Sequence, residues 1–180
     1  MSRRSTEVVI LGLPITTLSM GAVIQTIAGW IERQQSRRVC ACDVHSVIRA
    51  LDDKKHGHAL GTADLLLPDG VPLVWVGRFR GNKHMQRVCG PDLLKALCAQ
   101  SVRHGWRHYF YGGAPGVSEM LAEMLSERHP GLRVAGTHCP PFRTLTAQER
   151  LQTADLIKSA SPDIVWVGLG CPKQEQWMLD

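Results

Sequence analysis

The chain has 180 residues, of which 44% are hydrophobic and 21% are charged. This size and composition predict about one globular domain with a sizeable core, and they exclude disordered, collagen-like and coiled-coil proteins. The longest apolar stretch, residues 8–15, is too short to cross a bilayer and contains Gly12 and Pro14. Because no signal-type apolar segment follows the basic N-terminus, we expect a cytoplasmic protein without a membrane span.

The formal net charge is +5, and the excess is concentrated between Arg78 and Arg87, a stretch that contains no acidic residue. Such a patch suits nucleic acid, an anionic membrane surface or a phosphorylated substrate. A solvated loop is the plainer alternative. Since no basic helix with interleaved aromatics and no nucleic-acid motif accompanies the patch, we do not expect nucleic acid as a partner.

The cysteine and histidine spacings do not predict a metal site. Six cysteines are present, without the paired C-x-x-C or Cys/His spacing of a zinc site. Cys40-x-Cys42 alone is a weak signal, and the remaining histidines, His56 among them, show no metal-ligand spacing. We therefore interpret the cysteines as buried small hydrophobic residues and expect no metal.

Short apolar runs alternate with amphipathic helical patterns along the chain. This alternation predicts an α/β fold with a mostly parallel sheet and helices on both of its faces. The predicted strands are residues 8–11, 39–42, 65–67, 108–111, 132–135 and 164–167. The predicted helices cover residues 20–34 and 44–51 and begin near residues 90, 117, 146 and 172.

The apolar faces of these helices are expected to be covered by the core. The helix after Gly116, for example, is expected to bury one face made of Val117, Met120, Leu121, Met124 and Leu125. No further stripe then remains for self-association, and a homo-oligomer is left open.

Ligands of such folds bind beyond the carboxyl ends of the strands. That rule selects Asp43, Asp69 and two glycine-rich turns, residues 112–116 and 168–173, each of which follows a predicted strand. We expect all four to meet at one edge of the sheet.

The two turns could hold a phosphate. Glycines let a backbone approach a ligand closely, and the following helix offers unpaired N–H groups. Lys173 could neutralise a phosphate and Gln174 could hydrogen-bond a sugar or a base. The turn at 112–116 is neither G-x-G-x-x-G nor a Walker loop, so an ordinary tight turn, and a capped surface helix at 173–175, stay open.

Asp69 lies in a Leu-Pro-Asp-Gly turn, where a carboxylate could act as a general base. Aspartate is also common in such turns for local reasons. Asp43 follows its strand in the same way, and His45 beside it could be catalytic or structural.

Four motifs, in this order, resemble the WecG/TagA/CpsF family, glycosyltransferase family 26. The resemblance runs from about Val8 to Trp177, and the motifs are residues 63–71, 87–93, 110–116 and 162–175.

The resemblance implies an inverting, metal-independent transferase with a Rossmann-like core. It would move a sugar from a UDP-sugar to a polyprenyl-diphosphate-linked saccharide, acting peripherally at the inner face of the plasma membrane. The products would serve wall teichoic acid, common antigen or exopolysaccharide synthesis. The implied donors carry N-acetylmannosamine, its uronic acid or glucuronic acid, and no cofactor or metal is expected.

The resemblance also implies roles for particular residues. Asp69 matches the general base, and Arg87 matches an arginine on a diphosphate. Asp43 stands where the family often carries an asparagine, and it is implied to be catalytic by replacing that asparagine as the group that accepts a hydrogen bond from a substrate hydroxyl. The change points to an exopolysaccharide-type member. The implied nucleotide-binding residues are Gly112, Gly113, Gly116, Gly168, Gly170, Lys173, Gln174 and Glu175.

Residues 1–180 are expected to form a single glycosyltransferase core domain that lacks the family's C-terminal segment. Such a core is expected to bind UDP and to transfer sugar poorly. The alternative is a UDP- or nucleotide-sugar-binding module with little turnover. A Rossmann oxidoreductase is disfavoured, because the G-x-G-x-x-G fingerprint is missing.

Overall fold

The computed structural model describes residues 6–179. Its strands are β1 (Glu7–Ile10), β2 (Leu13–Thr16), β3 (Val39–Cys42), β4 (Leu65–Pro68), β5 (Arg107–Gly112), β6 (Arg133–His138) and β7 (Ile164–Gly168). Its helices are α1 (Met20–Glu32), α2 (Val44–Asp52), α3 (Lys54–Gly61), α4 (Val71–Phe79), α5 (Gly90–His104), α6 (Val117–Arg128), α7 (Ala147–Ala160) and α8 (Lys173–Leu179).

The chain forms two compact units. The first contains the chain up to Leu94 together with the segment from Cys171, and the second is Lys95–Gly170. Both units combine helices with parallel strands, so the predicted α/β class is confirmed. A single domain over residues 1–180 stays a prediction. Within residues 6–179, no helix is long and apolar enough to cross a bilayer.

The first unit begins with a hairpin that the sequence pattern only half predicted. Strand β1 stops at Ile10 because Leu11 and Gly12 adopt positive φ angles of 47° and 86°. A pair of left-handed residues is the turn that returns a strand antiparallel to itself. Strand β2 then pairs with β1. The predicted strand at 8–11 is therefore displaced by one residue toward the C-terminus, and its partner was missed.

Strands β3 and β4 pair in parallel, with Cys42 opposite Pro68. Both segments were predicted as strands, and every residue of β4 is buried. Cys40 and Cys42, both residues of β3, are buried in the core, and burial raises the pKa of each thiol to about 12. Their interpretation as buried hydrophobic residues is therefore confirmed, whereas for the half-buried Cys139 and Cys171 the same interpretation is wrong.

The second unit is a three-stranded parallel sheet in the order β6-β5-β7. Helix α7 begins with the predicted capping box. The Thr146 hydroxyl accepts from the Glu149 N–H at 3.2 Å, and the Glu149 carboxylate accepts from the Thr146 N–H at 2.8 Å. Two otherwise unpaired backbone donors are satisfied in this way, which is why the local sequence alone located this helix start.

The predicted buried face of α6 is right for Leu125 but wrong for the two methionines. Ser118, Ala122 and Leu125 are its buried residues, whereas Met120 is 67% exposed and Met124 is 45% exposed. The apolar repeat identifies residues that share a face of a helix. Which face meets the sheet depends on how the chain enters the helix, here through a left-handed Gly116.

Buried His108 is held by a complete hydrogen-bond chain. Trp166 Nε1 donates to His108 Nδ1 at 2.9 Å, so the ring proton lies on Nε2 and is donated to Ser101 Oγ at 2.7 Å. Ser101 in turn donates to the carbonyl of Leu97 at 2.7 Å. Burial lowers the pKa of His108 from 6.5 to about 4, so the neutral imidazole is the folded form.

This shift predicts a loss of stability in acid. The unfolded chain binds a proton at His108 near pH 6.5, and the folded chain only near pH 4. The free energy of unfolding should therefore decrease as the pH is lowered from 6.5 to 4, and protonation of this group accounts for a loss of up to about 3 kcal/mol. Denaturant titrations of the wild type and His108→Gln at pH 7 and 4.5 measure it. An equal loss in both proteins would contradict the assignment.

Candidate active site

Asp43 and Asp69 lie at the same end of the β3–β4 pair, as predicted. Each directly follows its strand, and the Asp69 N–H donates to the carbonyl of Cys42 at 2.9 Å. A Cβ atom on Gly70 would lie 3.6 Å from the Cα atom of Asp43. The backbones that carry the two carboxylates are therefore in direct contact.

Arg87 donates two hydrogen bonds to Asp69. Its Nη2 atom lies 3.0 Å from Asp69 Oδ1, and its Nε–H donates to the backbone carbonyl of Asp69. The second carboxylate oxygen, Oδ2, has only a long contact of 3.5 Å from the N–H of Gly90. The two side chains are 26% and 49% exposed, so the pair is ordered by the protein and remains accessible to a ligand.

The local sequence explains how this pair forms. The apolar strand β4 ends at Pro68, and Gly70 then caps α4 with a proline in the first turn, where a missing N–H costs nothing. Arg87 lies in the loop between α4 and α5. The Val88 N–H donates to the Pro68 carbonyl at 3.0 Å, which ties this loop beside the end of β4.

Asp43 has a structural task in addition to any chemical one. It is the N-cap of α2, and its Oδ1 atom accepts from the Ser46 N–H at 2.8 Å. Burial acts to raise the pKa of Asp43, but the hydrogen bonds from Ser46 outweigh it and the pKa lies below its ordinary value. A catalytic role for Asp43 stays a prediction.

The two glycine turns meet in the second unit, where Gly112 pairs with Gly168 across β5 and β7. Gly112 has a φ of 114°, and a Cβ atom on it would lie 2.4 Å from the Gly168 carbonyl oxygen. The Gly113 N–H donates to that same oxygen at 2.9 Å. Glycine is required at position 112 for both reasons, conformation and space.

The first turn of α6 already contains a carboxylate that sequence analysis passed over. Glu119 accepts from the Ser118 hydroxyl at 3.0 Å and from the Thr137 hydroxyl at 3.3 Å. Hydrogen bonds hold the pKa of Glu119 below its ordinary value, and the largest contribution comes from its own backbone N–H. A phosphate at this helix start would lie near that negative charge, although the helix dipole itself favours an anion.

The segment after Gly170 belongs to the first unit. Lys173 is exposed and Gln174 is half-buried, with its Nε2 atom donating to Glu175 Oε1 at 2.9 Å. Glu175 itself is buried, 1% exposed, which gives it contacts inside the first unit. The nucleotide roles of these residues, and a meeting of all four strand ends at one edge, stay predictions.

Sequence analysis also missed helix α4, which carries an exposed apolar surface. Leu73, Val74 and Gly77 are its buried residues. Trp75 and Phe79 are 65% and 94% exposed. The helix is apolar on nearly all sides, so its sequence shows no helical periodicity. Pro72, in the first turn, was the available signal for a helix start. We call the exposed residues Val71, Trp75, Val76 and Phe79 the α4 outer face.

Comparison with known proteins identifies one family. A family model described as "Glycosyl transferase WecG/TagA/CpsF family" matches residues 8–180. An N-acetylglucosaminyldiphosphoundecaprenol N-acetyl-beta-D-mannosaminyltransferase of Bacillus spizizenii strain W23 is 31% identical over 126 residues, which cover 70% of this chain and 47% of that protein. A protein of the same name from Bacillus subtilis strain 168 is 29% identical over 129 residues, with shares of 72% and 48%. The chain thus spans about half the length of these curated relatives.

The Gly112–Gly168 contact predicts a large difference between two glycine substitutions. Gly116→Ala adds a side chain at a φ of 83° with no atom within 4 Å, so it costs backbone strain alone. Gly112→Ala adds strain and a clash with backbone, and should lower the free energy of unfolding by at least about 2 kcal/mol more. Urea unfolding of both variants measures the difference, and equal losses would contradict the close approach.

Proposed function

Because the chain belongs to the WecG/TagA/CpsF glycosyl transferase family, we propose that it transfers a sugar from a UDP-sugar to a lipid-diphosphate-linked saccharide. The observation that carries the proposal is the accessible Asp69–Arg87 pair at the carboxyl end of parallel strands, within a chain that the family model matches from residue 8. The names of the two relatives support an acceptor of the N-acetylglucosaminyldiphosphoundecaprenol class and an N-acetylmannosaminyl donor. The corresponding uronic acid and glucuronic acid are alternative donor sugars.

In the proposed reaction Asp69 Oδ2 takes the proton of the acceptor hydroxyl. This oxygen suits the task, because Oδ1 is already engaged by Arg87. The hydroxyl oxygen forms a bond to the anomeric carbon from the face opposite UDP. The bond from that carbon to the UDP phosphate oxygen breaks, UDP leaves with the electron pair, and the configuration inverts.

Arg87 and the glycine turns supply the phosphate chemistry of the proposal. A guanidinium presents five N–H donors, and Arg87 uses two of its nitrogens on Asp69. Its remaining donors can bind a diphosphate with charge-assisted hydrogen bonds and stabilise the leaving group. Backbone N–H groups in residues 112–116, with Lys173 and Gln174, are proposed to bind UDP.

Asp69→Asn should separate chemistry from binding. Asparagine keeps the size of the side chain but cannot accept the proton, so sugar transfer should fall by about 100-fold or more while UDP affinity changes little. Calorimetric titration with UDP, together with UDP release from UDP-N-acetylmannosamine in the presence of a polyprenyl-diphosphate N-acetylglucosamine acceptor, measures the two effects.

The matched control is Asp155→Asn, which removes an exposed carboxylate on α7. Undiminished transfer by Asp69→Asn would reject Asp69 as the base. UDP binding that Gln174→Ala weakens, without any transfer by the wild type, would favour the binding-module alternative. Heat from NAD and none from UDP would instead favour an oxidoreductase.

We propose that the α4 outer face meets the membrane that carries the acceptor. This helix starts two residues after Asp69 and exposes Trp75 and Phe79. Arg78 in its last turn donates to the Met85 carbonyl at 3.0 Å, and Arg80 directly after it donates to the Val9 carbonyl. Among the described residues, neither of these two cations pairs with a carboxylate. Aromatic side chains beside uncompensated positive charge suit the interface of an anionic bilayer, here the inner face of the plasma membrane.

Replacing both aromatics of this face, as Trp75→Ser with Phe79→Ser, should weaken binding to vesicles that contain phosphatidylglycerol by about tenfold or more. The cosedimentation of protein with vesicles measures this, with and without added salt. Met120→Ser with Met124→Ser is the control, since it removes two exposed apolar side chains from α6. Equal losses in both variants would contradict the assignment, and a loss of dimer instead would mean that a second copy covers α4.

A further inference from the structure

Three potential metal ligands converge inside the first unit: His56 of α3, Cys171, and Glu175 of α8. Cys171 Sγ lies 3.7 Å from His56 Nε2, and Glu175 Oε2 lies 3.9 Å from His56 Nδ1. One donor atom from each residue lies within 4.8 Å of the other two. His56 and Glu175 are 0% and 1% exposed, while Cys171 is half-buried.

Two atoms of this cluster lack a partner. His56 Nδ1 and Glu175 Oε2 are buried from solvent, and neither has a hydrogen bond. A buried polar atom without a partner is costly, and a buried carboxylate oxygen especially so. The two atoms also face each other. A cation between the two atoms would satisfy both of them.

We propose that His56, Cys171 and Glu175 form a structural zinc site in which a water molecule is the fourth ligand. Zinc binds sulfur at about 2.3 Å and nitrogen or oxygen at about 2.0–2.1 Å in a tetrahedron, which places donors roughly 3.3–3.6 Å apart. The 3.9 Å separation of His56 Nδ1 and Glu175 Oε2 needs a contraction of about half an ångström. The three donors, which lie within 4.8 Å of one another, need at most about 1.2 Å, most of it from a turn of the Cys171 side chain. A thiolate and a carboxylate also balance the charge of a divalent ion, and the imidazole completes a mixed sulfur, nitrogen and oxygen set that suits zinc.

The two buried atoms without a hydrogen bond indicate which imidazole nitrogen binds the ion. Nδ1 faces the orphan oxygen of Glu175, so the ion lies on the Nδ1 side of the ring. Cys171 then turns its Sγ atom from Nε2 toward the ion. Its partial exposure gives the side chain room to turn and gives the ion a path of entry.

The surrounding contacts resemble the supporting layer of a metal site. Gln174 Nε2 donates to Glu175 Oε1 at 2.9 Å, which orients the carboxylate with its other oxygen toward His56. Ser46 Oγ lies 3.7 Å from Cys171 Sγ. Such outer contacts position metal ligands and tune their affinity. The ion would fasten α8, which carries Lys173 and Gln174, to α3. This role is structural, and it does not depend on the proposed function.

Cobalt tests the site directly. Titration of the chelator-treated chain with Co²⁺ should saturate at one equivalent and produce a near-ultraviolet thiolate-to-cobalt absorption band, with the visible bands of a four-coordinate ion. Added Zn²⁺ should abolish these bands and should raise the Tm of the metal-free chain. A wild-type chain that is folded by circular dichroism and shows no thiolate band would overturn the proposal.

Three variants assign the ligands. Cys171→Ser should lose the thiolate band, and Glu175→Gln and His56→Gln should weaken Zn²⁺ binding by about tenfold or more. Cys139→Ser removes a half-buried thiol of the second unit and should keep the band. Retention of the band by Cys171→Ser would also overturn the proposal, whichever other variants fold.

UDP calorimetry on the chelated chain keeps the two proposals separate. UDP binding without cobalt binding would reject the zinc site alone. Cobalt binding without UDP binding or sugar transfer would reject the proposed function alone.

Discussion

The parallel pairing of strands β3 and β4 is the constraint on which the candidate chemistry depends. Parallel pairing brings the carboxyl ends of both strands to one end, and the following residues Asp43 and Asp69 therefore lie side by side. Arg87 lies at the same end, because the N–H of the neighbouring loop residue Val88 donates to the Pro68 carbonyl. A carboxylate that is held by a guanidinium and still reached by solvent results from backbone pairing first and side-chain chemistry second.

Close packing determines how the backbone runs at the start of the two glycine turns in the second unit. Gly112 fits against the Gly168 carbonyl with no space for a Cβ atom, so β5 and β7 approach closely where both strands end. Helix α4 of the first unit shows the complementary case. Its small Gly77 packs on the Met85 side chain while Trp75 and Phe79 remain in solvent. An exposed aromatic pair on a helix so well packed is a surface available for recognition.

Two buried histidines illustrate how the interior treats polar groups. His108 has a partner at each ring nitrogen, Trp166 on one side and Ser101 on the other, and burial keeps it neutral. His56 is equally buried, but its Nδ1 atom faces an unpaired oxygen of Glu175. The first arrangement is complete as it stands, whereas the second leaves two buried polar atoms without a hydrogen bond, and this difference supports the proposed zinc site.

Local interactions are what the sequence by itself determined. It located β3, β4, the capping box of Thr146 and the Pro68–Gly70 turn, because a strand run, a cap or a turn is set by residues within a few positions of one another. The family motifs are local in the same sense. Tertiary structure alone decided which face of α6 is buried, that Arg87 holds Asp69, and that Cys171 meets His56 across 115 positions. Those contacts depend on how distant segments pack, and sequence periodicity carries no information on that.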